Sequence, residues 1–323
     1  LRVAIVPPGD YVLGSRTFNL TYTDSFCFGA PRFSVKAGET VYVGDYEMFA
    51  LAKIVQSYGV NVMEIVFYRQ AIAILPVLAL VIPSAGLASL KTQRPWLHAS
   101  RTTVGTTGMI LNFLTISLLP LAETQALWFA TPLFATILSA LILRETVGLH
   151  RWSAVAIGFV GVMIVIQPQS GHLPILGAAA GLTAALLTAF VTILLRQLGR
   201  TEPALTTVFW FFTMSAIPLA LVMPWFAQSH APIVWLLLIG MGIVGGLGQV
   251  ALTMSLQYAP VSTVAPVDYA SLIWSTLFGF WLFAEVPTAW TWLGAPLIVA
   301  SGLYIVWRER KRMRTTTLIA TAD

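Results

Sequence analysis

The chain repeats itself at a shift of 140 residues, and it does so inside apolar segments. Pro120 matches Pro260, Ala130 matches Ala270, Thr136 matches Thr276, Glu145 matches Glu285 and Trp152 matches Trp292. Each copy reads as a helix-breaking proline, a long mostly apolar run, a glutamate, a short linker with a tryptophan, and a second apolar run. Such duplication confines the fold to two like halves packed together, with any central path between them near the bilayer midplane.

Composition decides the solvent. The chain is 57% hydrophobic and 10% charged, with a mean hydropathy of +0.81. A soluble domain carries about 25% charged residues, so this is the composition of a polytopic membrane protein. The net charge of +5 is spread over loops and the C-terminal tail, with no stripe that would suit nucleic acid. Cys27 is the one cysteine, which excludes an internal disulfide and a cysteine-based zinc site. His98, His150, His172 and His230 fall near expected loops without metal-ligand spacing. No metalloprotease, phosphate-loop, serine-hydrolase or dinucleotide motif is present, so no metal, no cofactor and no enzyme activity is expected.

A membrane helix needs ~20 mostly apolar residues. Nine such spans are expected at 64–83, 97–119, 121–143, 151–167, 174–195, 204–225, 232–257, 261–284 and 288–307. Lys91, Arg94 and Arg101 lie around the 84–101 loop, Arg144 and Arg151 flank the next loop of that side, and Arg196 and Arg200 mark a third. The basic tail over 308–323 carries Arg308, Arg310, Lys311, Arg312 and Arg314, which sets the C-terminus in the cytoplasm. The alternate loops near 120, 168–174, 226–231 and 285–288 hold no Lys or Arg. The loop near 258–261 is also uncharged and does not contribute to the assignment.

Counting the repeat backwards pairs the 174–195 span with 34–55, and Gly199 with Gly59. Met48–Gly59 suits a helix, but Ser34–Glu47 carries Lys36, Glu39, Asp45 and Glu47, which hydrocarbon does not accept. The first span is therefore expected to be partial. Residues 1–47 alternate, are rich in β-formers and are broken by glycine and proline, which reads as a β-like, extracytoplasmic or mis-joined segment. Two origins fit it: a fused or truncated gene product, or a nine-span protein with its N-terminal segment outside.

From Met48 to about Arg312 the chain resembles the EamA group of the drug/metabolite transporter superfamily. The resemblance rests on LLPLAETQALWFATPLFATILSALILRE (118–145), LHRWSAVAIGFVGVMIVIQP (149–168), MSLQYAPVSTVAPVDYASLIWSTLFGFWLFAE (254–285) and EIVFYRQ (64–70), in order and spacing. It implies two inverted five-helix repeats, 48–168 and 174–307, and carriage of a small metabolite. The partial first span departs from the family pattern.

Ionisable groups within the spans each call for a reason, since insertion of one costs about 2.5–3.5 kcal/mol. Asp268, in PVDYAS, reads either as a pathway carboxylate for a cation or proton or as a capped carboxylate near the cytoplasmic mouth. Arg69 reads either as the partner of an anionic substrate group or as an intrahelical partner of Glu64, at poor i,i+5 spacing. Lys53 faces a cavity or snorkels. Trp128, Tyr269, Asn112 and Gln249 suit an apolar pocket with a few polar groups, or plain packing. Glu123 is expected to favour its own helix N-terminus. Glu145 and Glu285 are expected to cap or pair across the pseudo-twofold, and Gly177 and Gly181 to allow close helix approach.

The expectation is thus an all-α polytopic inner-membrane protein that moves a small metabolite by alternating access. No nucleotide-binding motif is present, so coupling would be to a proton, an ion or exchange. The rivals are a non-functional fusion or fragment, and an intramembrane enzyme, which would need clustered acids or histidines that this chain lacks.

Overall fold

The computed structural model describes residues 9–12, 32–35, 48–84, 86–142, 144, 147–167, 174–258 and 270–320. Two short strands, β1 (Gly9–Val12) and β2 (Arg32–Val35), pair antiparallel. Among the described residues, everything else with regular structure is helical. The α-helices are α1 (Met48–Ser57), α2 (Val62–Ser84), α3 (Pro95–Leu118), α4 (Leu121–Trp128), α5 (Thr131–Leu141), α6 (Leu149–Ile166) and α7 (Ile175–Leu198). They continue with α8 (Ala204–Phe226), α9 (Pro232–Tyr258), α10 (Ala270–Phe283) and α11 (Ala289–Ala320).

Among the described residues, seven segments are long and apolar enough to cross a membrane, with α4 and α5 counting together as Leu121–Leu141. Of the nine expected spans, 97–119 falls short of that measure, and 261–284 is described only from Ala270 onward. Helix α3 has the length, 24 residues, but is rich in Thr and Ser and carries His98 and Arg101. Helix α10 covers 14 residues, and residues 261–269 of the expected span lie outside the described residues. Helix α1 covers ten residues and starts at Met48.

Local chemistry sets the turns. The chain leaves α1 through Gly59, whose φ of 81° is open to glycine at little cost. It enters α2 through Asn61, whose Oδ1 accepts the Met63 N–H at 2.9 Å. Prolines stand before or at the start of α3, α7, α8 and α9, where a missing N–H costs nothing.

Lipid offers no hydrophobic drive between helices, so close approach must come from small residues. The main pairs are α6 with α11, α3 with α7, and α2 with both α8 and α9. A Cβ at Gly294 would meet the Gly161 carbonyl oxygen at 2.6 Å, and one at Gly242 would meet Ile72 Cβ at 2.6 Å. At Gly177 it would meet Leu119 at 2.9 Å, and at Gly181 Leu127 at 3.0 Å, where α7 lies on α3 and α4. The outer faces carry exposed Trp225, Leu221 and Ile175, as lipid contact requires.

Candidate functional site

Polar side chains gather at three depths. At one end of the bundle, which holds the turns at 58–61, 119–120, 227–231 and 284–288, three buried or half-buried carboxylates join distant parts of the chain. Glu285 forms an ion pair with Lys53 of α1, and its Oε2 accepts the Leu121 N–H at the start of α4, at 3.0 Å. Lys53 Nζ also donates to the Leu119 carbonyl at 3.1 Å. Glu123, in the first turn of α4, is fully buried. Its Oε1 accepts the Thr291 hydroxyl at 2.8 Å and the Thr288 N–H at 3.3 Å, and so braces the start of α11, which Thr288 Oγ1 caps by accepting the Thr291 N–H at 3.2 Å. Glu64, also fully buried, accepts the Gln228 N–H at 3.0 Å and lies 3.1 Å from His230 Nε2. The three carboxylate contacts to backbone N–H groups span 164 or 165 positions, so each ties the first half of the chain to the second.

Two sequence-based alternatives change here. Glu64 does not pair with Arg69; the i,i+5 spacing turns the two side chains apart, and Glu64 reaches the α8–α9 loop instead. Glu123 serves the N-terminus of α11 as well as sitting in the first turn of its own helix.

Midway along its length the Leu121–Leu141 span is interrupted. Pro132 has no N–H to offer the Trp128 carbonyl, and the Thr131 hydroxyl bonds that carbonyl instead, at 2.6 Å. The chain turns through Phe129 and Ala130 between α4 and α5. One turn before the break, Gln125 Nε2 donates to Ser271 Oγ of α10 at 2.6 Å, joining the halves at this depth. Trp128 meets the Phe49 ring edge-on, with centroids 6.0 Å apart.

Arg69 sits about 10 Å into α2, at 1.5 Å per residue. It is buried, and its Nη1 donates to Gln70 Oε1 at 3.0 Å and approaches Met109 Sδ of α3 at 3.3 Å. Gln70 Nε2 donates to Ser215 Oγ of α8 at 2.7 Å, and Ser215 donates on to the Phe211 carbonyl at 2.6 Å. A polar chain thus crosses from α2 to α8. Asn112 on α3 is half-buried and Gln249 on α9 is buried; neither side chain makes a hydrogen bond among the described residues. Asp268, Tyr269 and Glu145 lie outside the described residues.

The sequence alone does not reveal Gln125–Ser271, Gln70–Ser215 or Glu64–His230. A glutamine inside an apolar run is the available signal for the first two. Charge counting also places Arg101 and His98 with the 84–101 loop. Both are buried within α3, Arg101 at 2% exposure and His98 at 0%.

The family model described as the EamA-like transporter family matches residues 48–167 and 175–307. A riboflavin transporter of Vibrio cholerae is 32% identical over 265 residues, covering 81% of this chain and 89% of that protein. The pseudopaline exporter CntI of Pseudomonas aeruginosa is 29% identical, covering 74% of this chain and 84% of its own. An S-adenosylmethionine uptake transporter of Rickettsia prowazekii is 26% identical, covering 77% and 84%. A solved crystal structure shares the fold with a TM-score of 0.60 at 20% identity, covering 81% of this chain and 93% of the other.

Proposed function

The chain belongs to the EamA-like transporter family and is a multi-pass carrier of a small metabolite, and we propose that it works in the bacterial inner membrane by alternating access with its C-terminus in the cytoplasm. The cation distribution along the sequence supports this orientation, which makes the end bearing the Glu285, Glu123 and Glu64 contacts the outer end. The arrangement then corresponds to an outer gate held shut.

The observation that carries the reading is the interrupted α4–α5 span beside the Gln125–Ser271 bond. Broken helices at the midplane free backbone groups and leave room for a substrate where two halves meet. The substrate-facing set in this reading is Arg69, Asn112, Trp128 and Gln249, together with Asp268 and Tyr269, which are the repeat mates of Trp128 and Phe129 and lie outside the described residues. Lys53 contributes by holding the outer gate, and Asp268 is the carboxylate suited to a proton or cation. The cargo is an amino acid, a vitamin or a nucleoside-like compound, and energy comes from an ion gradient or exchange.

The test is counterflow into proteoliposomes with labelled amino acids, riboflavin and S-adenosylmethionine. The expected result is exchange of at least one class above protein-free vesicles, lost in Asp268→Asn while membrane insertion stays intact. Inserted protein that exchanges none of them, or an Asp268→Asn variant that transports normally, overturns the reading or the carboxylate's part in it respectively.

A further inference from the structure

Arg101 lies six residues into α3 and is 2% exposed. Its Nε and Nη1 have no hydrogen-bond partner among the described residues. Its guanidinium lies 3.5 Å from the centre of the Phe211 ring, which holds the plane by a cation–π contact. Gly105, one turn on, makes room for it: a Cβ there would sit 2.9 Å from Arg101 Nη1. The guanidinium therefore reaches about 15 Å along α3, near the middle of a ~30 Å hydrocarbon layer.

The like charge of Arg69 acts on Arg101. One turn before it, His98 is fully buried with both ring nitrogens unpartnered among the described residues. The hydroxyls of Thr102 and Thr106, on the adjoining strip of the same helix, are buried and unpartnered as well. Glu202, an acid whose charge acts on His98, accepts from the Thr92 hydroxyl at 2.8 Å and the Gln93 N–H at 3.1 Å.

A desolvated guanidinium costs several kcal/mol unless something meets its donors. A buried imidazole one turn before it and two buried hydroxyls within five positions along the same helix have no partner among the described residues, and the charge of Arg69 acts on it as a second cation. That donor set is the one that recognises a carboxylate or a phosphate. We propose that Arg101, flanked by His98, Thr102 and Thr106, is the recognition site for a carboxylate or phosphate group on the transported metabolite. The inference rests on the transport reading and narrows the cargo to anionic compounds.

The test uses the full chain in phosphatidylcholine nanodiscs, with thermal unfolding followed by tryptophan fluorescence. Sodium phosphate and sodium acetate are titrated against chloride at equal ionic strength. The expected result is saturable stabilisation by at least one of the two anions. Arg101→Gln weakens its apparent affinity by about tenfold or more, and Arg101→Lys recovers part of it. If Arg101→Gln does not assemble, Thr106→Val stands in and is expected to weaken the same response. No anion-specific shift in the wild type overturns the proposal, as does an equal shift in the variants. An Arg101-dependent shift produced by phosphatidylglycerol discs alone, to which the soluble anions add nothing, assigns the site to a lipid headgroup and overturns the metabolite assignment. Counterflow of a neutral solute without an anion shift sinks this inference and leaves the transport reading standing. An anion shift in a protein that exchanges nothing does the reverse.

Discussion

Lys53 and Glu285 stand 232 positions apart in sequence and form an ion pair, each with its side chain mostly buried. The pair joins the ten-residue α1 to the turn between the last two helices. Its exposure places it between a surface pair, worth at most about 1 kcal/mol, and a fully buried one, whose disruption costs about 3–5 kcal/mol. A double-mutant cycle of Lys53→Met and Glu285→Gln is expected to give a coupling of about 1–3 kcal/mol. Thermal unfolding of the four proteins in one detergent measures it; additive effects would show that the contact contributes nothing.

Glu123 is expected to matter through α11 more than through α4. Glu123→Ala removes the acceptor for both the Thr288 N–H and the Thr291 hydroxyl and should cost about 1–2 kcal/mol. Glu123→Gln keeps an acceptor and should lose less. Thr291→Val should lose part of the same stability, and little more when combined with Glu123→Ala. Melting temperatures of the three variants and the double variant check this.

His230 covers a carboxylate with no exposure of its own. His230→Ala leaves Glu64 with the Gln228 N–H and should destabilise by about 1–3 kcal/mol, while His230→Gln, which restores a donor, should recover much of that. Equal melting points for the two variants would remove the hydrogen bond from the account.

The glycines separate into those that meet a neighbour and those that do not. Gly294→Ala drives a methyl into the Gly161 carbonyl and Val165, and should cost about 1–3 kcal/mol by forcing α6 and α11 apart. A methyl added at Gly240 would meet nothing within 4 Å, so Gly240→Ala should be neutral or stabilise by up to about 1 kcal/mol through helix propensity alone. Melting temperatures of this pair distinguish packing from general helix propensity.

The polytopic helical fold is legible in the sequence because apolar runs and an internal repeat are local and periodic signals. The contacts that close this end of the bundle are not, since Glu285, Glu123 and Glu64 find partners between 164 and 232 positions away, and no periodicity announces such a pairing. Arg101 is hidden by a different cause. It follows Lys91 and Arg94, so charge counting sets it at the edge of the 84–101 loop although the expected 97–119 span contains it, and the sequence carries no sign that α3 buries this face. The expected function depends on motif order and duplication, and the family match over both halves agrees with it.

The proposed alternating access requires the end of the bundle that holds the Lys53–Glu285 contact to open and close. Spin labels at Tyr58 and Val286, both exposed, report that movement, once Cys27 is replaced by serine to leave a single labelled pair. Pulsed electron–electron distance measurement in nanodiscs should give a short population in the wild type and a longer one that grows in Glu285→Gln. A single distance distribution, unchanged between the two proteins, would contradict the account.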